Sequence, residues 1–188
     1  MRSLHLAVDI SGFPARWLSW QDAICQETLG KVAYGFGDHE FTFTGGKNRD
    51  SGLDSQITLK SILVLKGRSP ECNKRTTIPL SNAALFRRDQ FMCAYCGNVS
   101  TKGLTRDHIK PLSRGGADSW LNCCACCVSC NARKGSQTLD ELGWQLLYVP
   151  YVPNHQEGLI LANRHILDDQ MELLKSMCPK HSRVVGHA

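Results

Sequence analysis

The chain has 188 residues, 42% of them hydrophobic, and a formal net charge of +5. That size suits one full domain or a small domain with appendages, and the hydrophobic content excludes a chain disordered throughout. No apolar run approaches membrane-spanning length, Asp9 interrupts the start before a secretory apolar segment develops, and the 10 cysteines therefore read as reduced thiols in a cytoplasmic protein rather than as a disulfide framework.

In chain order, His5 to Ile10 alternates like a strand, Ser11-Gly12-Phe13-Pro14 reads as a turn, and Ser19 is placed to cap a helix from about Trp20 to Leu29, which Gly30 stops. Lys31 to Phe36, Glu40 to Thr44 and Gln56 to Leu65 are rich in β-branched and aromatic residues and are separated by Gly, Asn and Asp, so they are expected to form a small antiparallel sheet. Residues 1–66 thus read as an accessory α+β unit and 67–80, with Pro70 and Pro79, as a linker. In 81–147, Ser81 or Asn82 starts a short helix to Asp89, Leu104 to Ile109 is a strand, Pro111 to Asp118 a glycine-rich loop, and Trp120 to Cys126 a second strand. A helix is expected from near Ser129. In 148–188 an extended, proline-bearing stretch leads to an amphipathic helix from about Asn163, since Ile166, Leu167, Gln170, Met171, Leu174 and Met177 recur at three- and four-residue spacing. Packing is the expected role of that helix, and a homodimer contact is the lesser one.

The basic charge is concentrated. Residues 60–134 carry 13 Lys and Arg against 4 Asp and Glu, while the segments on either side are each slightly acidic. A polyanion such as DNA is the natural partner, because neutralised phosphates release counterions; an ordinary solvated surface is the alternative.

Two Cys-x-x-Cys pairs bracket this region. Cys93, Cys96, Cys127 and Cys130 have the spacing of a closed, structural Zn²⁺ site. The run Asn122 to Cys127 also offers Cys123 with Cys126 and Cys124 with Cys127, and Cys127 with Cys130 is preferred because Asn131 and Lys134 then stand on the helix that the zinc anchors. Cys25, Cys72 and Cys178 are expected to be unligated.

Between the pairs lie Asp107-His108 and Asn122, with Asn131 immediately after the second pair. Together with Ser113-Arg114-Gly115-Gly116, Trp120-Leu121-Asn122 and Lys134-Gly135, they resemble the HNH endonuclease family in its four-cysteine, ββα-metal form over about residues 85–145. The stretches Ser19 to Ala23 and Leu29 to Lys31 also resemble the front of some bacterial and phage HNH proteins. The resemblance implies a ββα-metal nuclease unit that hydrolyses DNA to 5′-phosphate and 3′-hydroxyl ends, in a phage, mobile-element or defence setting.

The residue types suit that chemistry. An imidazole, with an ordinary pKa of ~6.5, makes His108 the general base. Asp107 and Asn131 offer hard oxygen ligands for a catalytic Mg²⁺ or Mn²⁺. Asn122, as the resemblance implies, orients His108 from the facing strand. Because a regular strand sends neighbours to opposite faces, Asp107 and His108 reach one phosphate only where the strand twists or ends. Arg106, Lys110, Arg114, Arg133 and Lys134 are the expected phosphate contacts. Two other readings remain: a non-catalytic zinc module that binds DNA, and a partner-dependent subunit of a phage packaging or restriction system.

Overall fold

The computed structural model describes residues 4–69, 78–180 and 182–184, so most of the expected linker, with Cys72, lies outside the described residues. The chain divides into two compact units, Met1–Arg75 with Asn163–Met177 and Thr76–Ala162 with Cys178–Ala188.

The first unit is a four-stranded sheet with two helices. Its elements are β1 (His5–Asp9), β2 (Pro14–Leu18), α1 (Trp20–Thr28), β3 (Val32–Lys47) and β4 (Asp54–Leu65), in sheet order β2-β1-β4-β3. All five residues of β1 are buried, as a central strand requires. Ser19 caps α1 by accepting from the Asp22 amide at 3.1 Å. The core gathers Ala7, Leu18, Ala23, Leu59 and Leu63.

Three expectations change here. The segments expected to form an antiparallel sheet do pair antiparallel as β3 and β4, but the whole sheet is mixed, because β1 runs parallel to β4 with Leu6 opposite Ile62. The segments expected as two strands form one, since a register shift between Phe36 and Glu40 absorbs Gly37 and Asp38 without ending the pairing. The strand β2 was hidden by reading Pro14 as part of a turn, whereas proline is tolerated at the first residue of an edge strand.

The tail helix completes this unit. It starts at Asp168, not near Asn163, and runs to Ser176. Gln170 donates to the carbonyls of Leu4 and Ser61, both at 2.9 Å, and the Asp169 carboxylate accepts from the Ser61 hydroxyl and from the Asp38 amide. Gly37, at φ 105°, has no room for a Cβ between Ser61 and Asp169.

The second unit contains α2 (Asn82–Arg88), β5 (Leu104–His108), β6 (Cys123–Cys127), α3 (Val128–Lys134), α4 (Leu139–Leu142) and α5 (His155–Ala162). Ser81 caps α2, accepting from the Ala84 amide at 3.2 Å. Strands β5 and β6 pair antiparallel from Leu104 opposite Cys127 to His108 opposite Cys123, and α3 follows β6 without a break. The helix α5 was not foreseen. Its signal is Asn154-x-x-Glu157, a reciprocal cap in which the Glu157 amide donates to the Asn154 side chain and the Asn154 amide to Glu157, each at 2.7 Å.

One buried ion pair fastens α2 to the hairpin. Arg88 and Asp89 are both fully buried; Arg88 donates to Asp89 at 2.7 Å and to the carbonyls of Trp120, Tyr151 and Cys123, while Asp89 accepts the Ala125 amide at 2.8 Å. Removing one partner strands the other charge. Arg88→Met is therefore expected to cost about 3–5 kcal/mol in urea unfolding, and a loss well below 1 kcal/mol would mean that water reaches Asp89.

Candidate functional site

The sequence folds β5, β6 and α3 into a hairpin whose two faces carry different chemistry. On β5, Thr105 and Asp107 point to one face, and Arg106 and His108 to the other.

The Asp107 face is closed. Asp107 is 5% exposed, and its carboxylate accepts from the Tyr95 hydroxyl and from Lys134 Nζ at 3.1 Å. Lys134 is 1% exposed and donates also to the His108 carbonyl at 2.8 Å. The Asn131 amide nitrogen donates to the Thr105 hydroxyl at 2.9 Å. Helical spacing explains the set, since Asn131 and Lys134 stand three apart on the face of α3 that meets Thr105 and Asp107.

The His108 face is partly covered, with the Arg106 and His108 side chains 20% and 21% exposed. His108 Nε2 lies 2.9 Å from Asp118 Oδ1, and the Arg106 guanidinium donates to both Asp118 oxygens at 2.9 Å. The buried Cys123 thiol donates to Asp118 at 3.3 Å. The hydrogen bond from His108, then the Arg106 guanidinium, pulls the Asp118 carboxyl down to about 2. An ionised carboxylate only accepts, so Nε2 carries the hydrogen, and in the neutral imidazole the lone pair is then on Nδ1.

Asn122 acts on backbone rather than on the imidazole. Its amide donates to the carbonyls of Lys110 and Ala117 at 3.0 and 2.8 Å, and its oxygen accepts the Lys110 amide at 2.9 Å. The loop that delivers Asp118 is thereby closed. Gly116 packs so tightly on the Lys110 carbonyl that a Cβ there would overlap it.

The cysteines sort cleanly. The sulfurs of Cys93, Cys96, Cys127 and Cys130 all lie within 4.8 Å of one another. Cys96 and Cys127 are 3.8 Å apart, and tetrahedral zinc, with Zn–S of about 2.3 Å, requires sulfurs about 3.8 Å apart. The Ser129 hydroxyl, then the Cys130 amide, holds the Cys127 thiol down at about 6. The donor set fits zinc. Burial pushes Cys123 up to about 11 and Cys124 up to about 12, but it pushes Cys130 up as well, so the sulfur positions and not acidity set the four apart.

Residues 93–147 match the HNH endonuclease family. The matched segment runs from the first knuckle through the hairpin and α3, so the resemblance read from the sequence is borne out there. No match was found among curated proteins or solved structures. No helix among the described residues is long and apolar enough to cross a membrane.

Against this HNH frame, several expectations are revised. Asp107 and His108 do not converge, because β5 stays regular through His108. Lys134 is buried on Asp107 and is no surface phosphate contact. Arg106 is committed to Asp118 and to the Asn82 side chain, and Arg114 to Glu141 at 2.6 Å. Lys110 is exposed, and the exposed Arg133 lies 5.4 Å from the centre of the Trp144 ring. Two partners escaped the sequence reading: Tyr95, inside the first knuckle, and Asp118, the acid of the glycine-rich loop. Asp118 had a signal, since an acid four residues before Asn122 sits opposite the end of β5 once the hairpin closes.

The oxygens of Asp107 and Asn131 have the right chemistry for a hard divalent ion, but the Lys134 ammonium is seated on the carboxylate. As arranged, the pair offers no open cation seat.

Proposed function

We propose that the second unit is a DNA endonuclease in which His108 is the general base and Asp118 holds it. The contact of His108 Nε2 with Asp118 carries this reading, because it leaves Nδ1 as the proton acceptor on the partly exposed side of a zinc-compatible HNH hairpin. In the proposed reaction Nδ1 takes a proton from a water as its oxygen attacks phosphorus in line with the leaving 3′ oxygen. Asp118 balances the charge that the imidazole gains. Lys110 and Arg133 hold flanking phosphates, and Cys93, Cys96, Cys127 and Cys130 hold a structural Zn²⁺.

The proposal includes a catalytic Mg²⁺ or Mn²⁺ at Asp107 and Asn131, admitted only in exchange for the Lys134 ammonium. When bound it would neutralise charge on the leaving oxygen. Lys134→Ala tests the exchange. Without divalent ion it strands the buried Asp107 charge and is expected to cost about 3–5 kcal/mol, and Mg²⁺ or Mn²⁺ should then raise its melting temperature more than that of the natural chain. Equal responses would remove Asp107 from the divalent site.

Supercoiled plasmid incubated with and without Mg²⁺ or Mn²⁺ tests the activity itself. Nicks that ligase reseals directly are expected, since water attack with a 3′ leaving oxygen gives 5′-phosphate and 3′-hydroxyl ends. The closed Asp107 face favours a second reading, a zinc module that binds DNA without cutting it. Plasmid bound but intact with either ion would select that one.

A further inference from the structure

The first unit carries a basic cavity that the nuclease reading does not use. A pocket of about 190 Å³ lies where β1 and β4 end, lined by Arg16, Lys31, Lys66 and Arg68 around Asp9 and Gln26. These four cations are scattered in the sequence. Arg16 comes from β2, Lys31 precedes β3, and Lys66 and Arg68 follow β4, with Gly67 at φ 94° turning the chain between them.

Two features make the cluster more than a solvated surface. First, Lys31 and Lys66 are held side by side, since the Lys66 amide donates to the Lys31 carbonyl at 2.8 Å and Val32 pairs with Leu65. Like charges so placed repel unless an anion lies between them. Second, the one acid of the pocket is not their counterion. Asp9 is 3% exposed, and its carboxylate accepts from the Ser11 amide and hydroxyl and the Phe13 amide on Oδ1 and from the Ser69 amide on Oδ2, with no cation among these partners. Among the described residues none of the four cations forms an ion pair, and the Lys66 ammonium has only the Gly30 carbonyl, at 2.7 Å.

We propose that this pocket binds a backbone phosphate of nucleic acid, making the first unit a second anchor for the substrate. The inference rests on the DNA reading of the chain. Two guanidiniums and two ammoniums can surround a tetrahedral, singly charged phosphodiester, while one water needs only about 10–15 Å³ of such a cavity, so a hydrated phosphate fits. A diester also suits an open, several-sided cluster better than a planar carboxylate, which favours nucleic acid over an acidic peptide.

The test uses the full chain carrying His108→Ala, so that bound DNA is not cut. Its affinity for a fluorescent duplex is followed against salt, alone, with Arg16→Ala/Arg68→Ala, and with Lys47→Ala/Arg49→Ala, which removes equal charge from residues outside the pocket. The pocket pair should weaken binding and make the slope of log K against log salt shallower by about 0.9, the value for one lost phosphate contact, while the control pair leaves it unchanged. Equal effects of the two pairs, no effect of either, or a pocket pair that loses affinity for polyglutamate but not for DNA would each overturn the assignment. In those cases DNA binding by the His108→Ala chain still stands with the nuclease reading. A His108→Ala chain that binds no DNA at all defeats both.

Discussion

His108→Ala is expected to lose plasmid cleavage by ~10²- to 10⁴-fold while keeping its zinc, its fold and its affinity for DNA. The imidazole is 21% exposed and among the described residues hydrogen-bonds with Asp118, itself half exposed, so truncation strands no buried partner there. Asp118→Asn separates positioning from mere shape. The amide keeps the volume but loses the charge that fixes Nε2–H, so kcat should fall while KM for DNA and zinc content hold. Residues that act as one unit are non-additive, and the double variant should cut no more slowly than His108→Ala alone. Multiplied losses in the double variant would place Asp118 in some other role. Because a base must be neutral to take a proton, the rate should also fall on the acid side, and a flat profile from acid to neutral pH would argue against histidine.

Asp118 stays ionised throughout that range. Its carboxyl lies at about 2, below the usual 3.8, so by linkage its contribution is full above the ordinary carboxylate value and is lost only as pH falls through about 2. Loss of cleavage at pH well above that value therefore does not report on this carboxylate.

The parts of the second unit legible in the sequence are those fixed by local chemistry. Ser81 as a cap, the strand from Leu104, the loop rich in glycine and the helix after Cys127 all follow from short-range signals, and the thiol spacing selects among competing pairs once the hairpin closes. What escaped depends on partners distant in sequence. Nothing local tells that Lys134 turns inward onto Asp107, because a lysine late in a helix usually reaches solvent. Likewise Arg106 and Lys110 look equivalent by alternation, but only Arg106 finds Asp118 and Asn82 across the loop. In the first unit the parallel pairing of β1 with β4 is a long-range choice that no hairpin signal announces, and it is this pairing that assembles the basic pocket.

Stripping the zinc is expected to have the largest effect of all. A structural Zn²⁺ contributes roughly 10–16 kcal/mol of binding, comparable to or above the roughly 5–15 kcal/mol net stability of a domain. Here the knuckle is part of a core, since Ala94 packs with Cys124 and Tyr148, joined by Met92, Tyr95, Ile109 and Leu146. Chelation should therefore collapse the packing around Tyr95 and Asp107 as well as the knuckle, and abolish cleavage whatever other divalent ion is supplied. Metal analysis should return one zinc per chain, lost in Cys130→Ala and kept in Cys126→Ala, whose buried thiol donates to the Cys127 carbonyl at 3.3 Å. Zinc retained by the first variant and lost by the second would move the second ligand pair into β6. A folded protein free of zinc would remove the knuckles from the fold's support altogether, because the matched segment would then have to hold its hairpin on the two small cores alone.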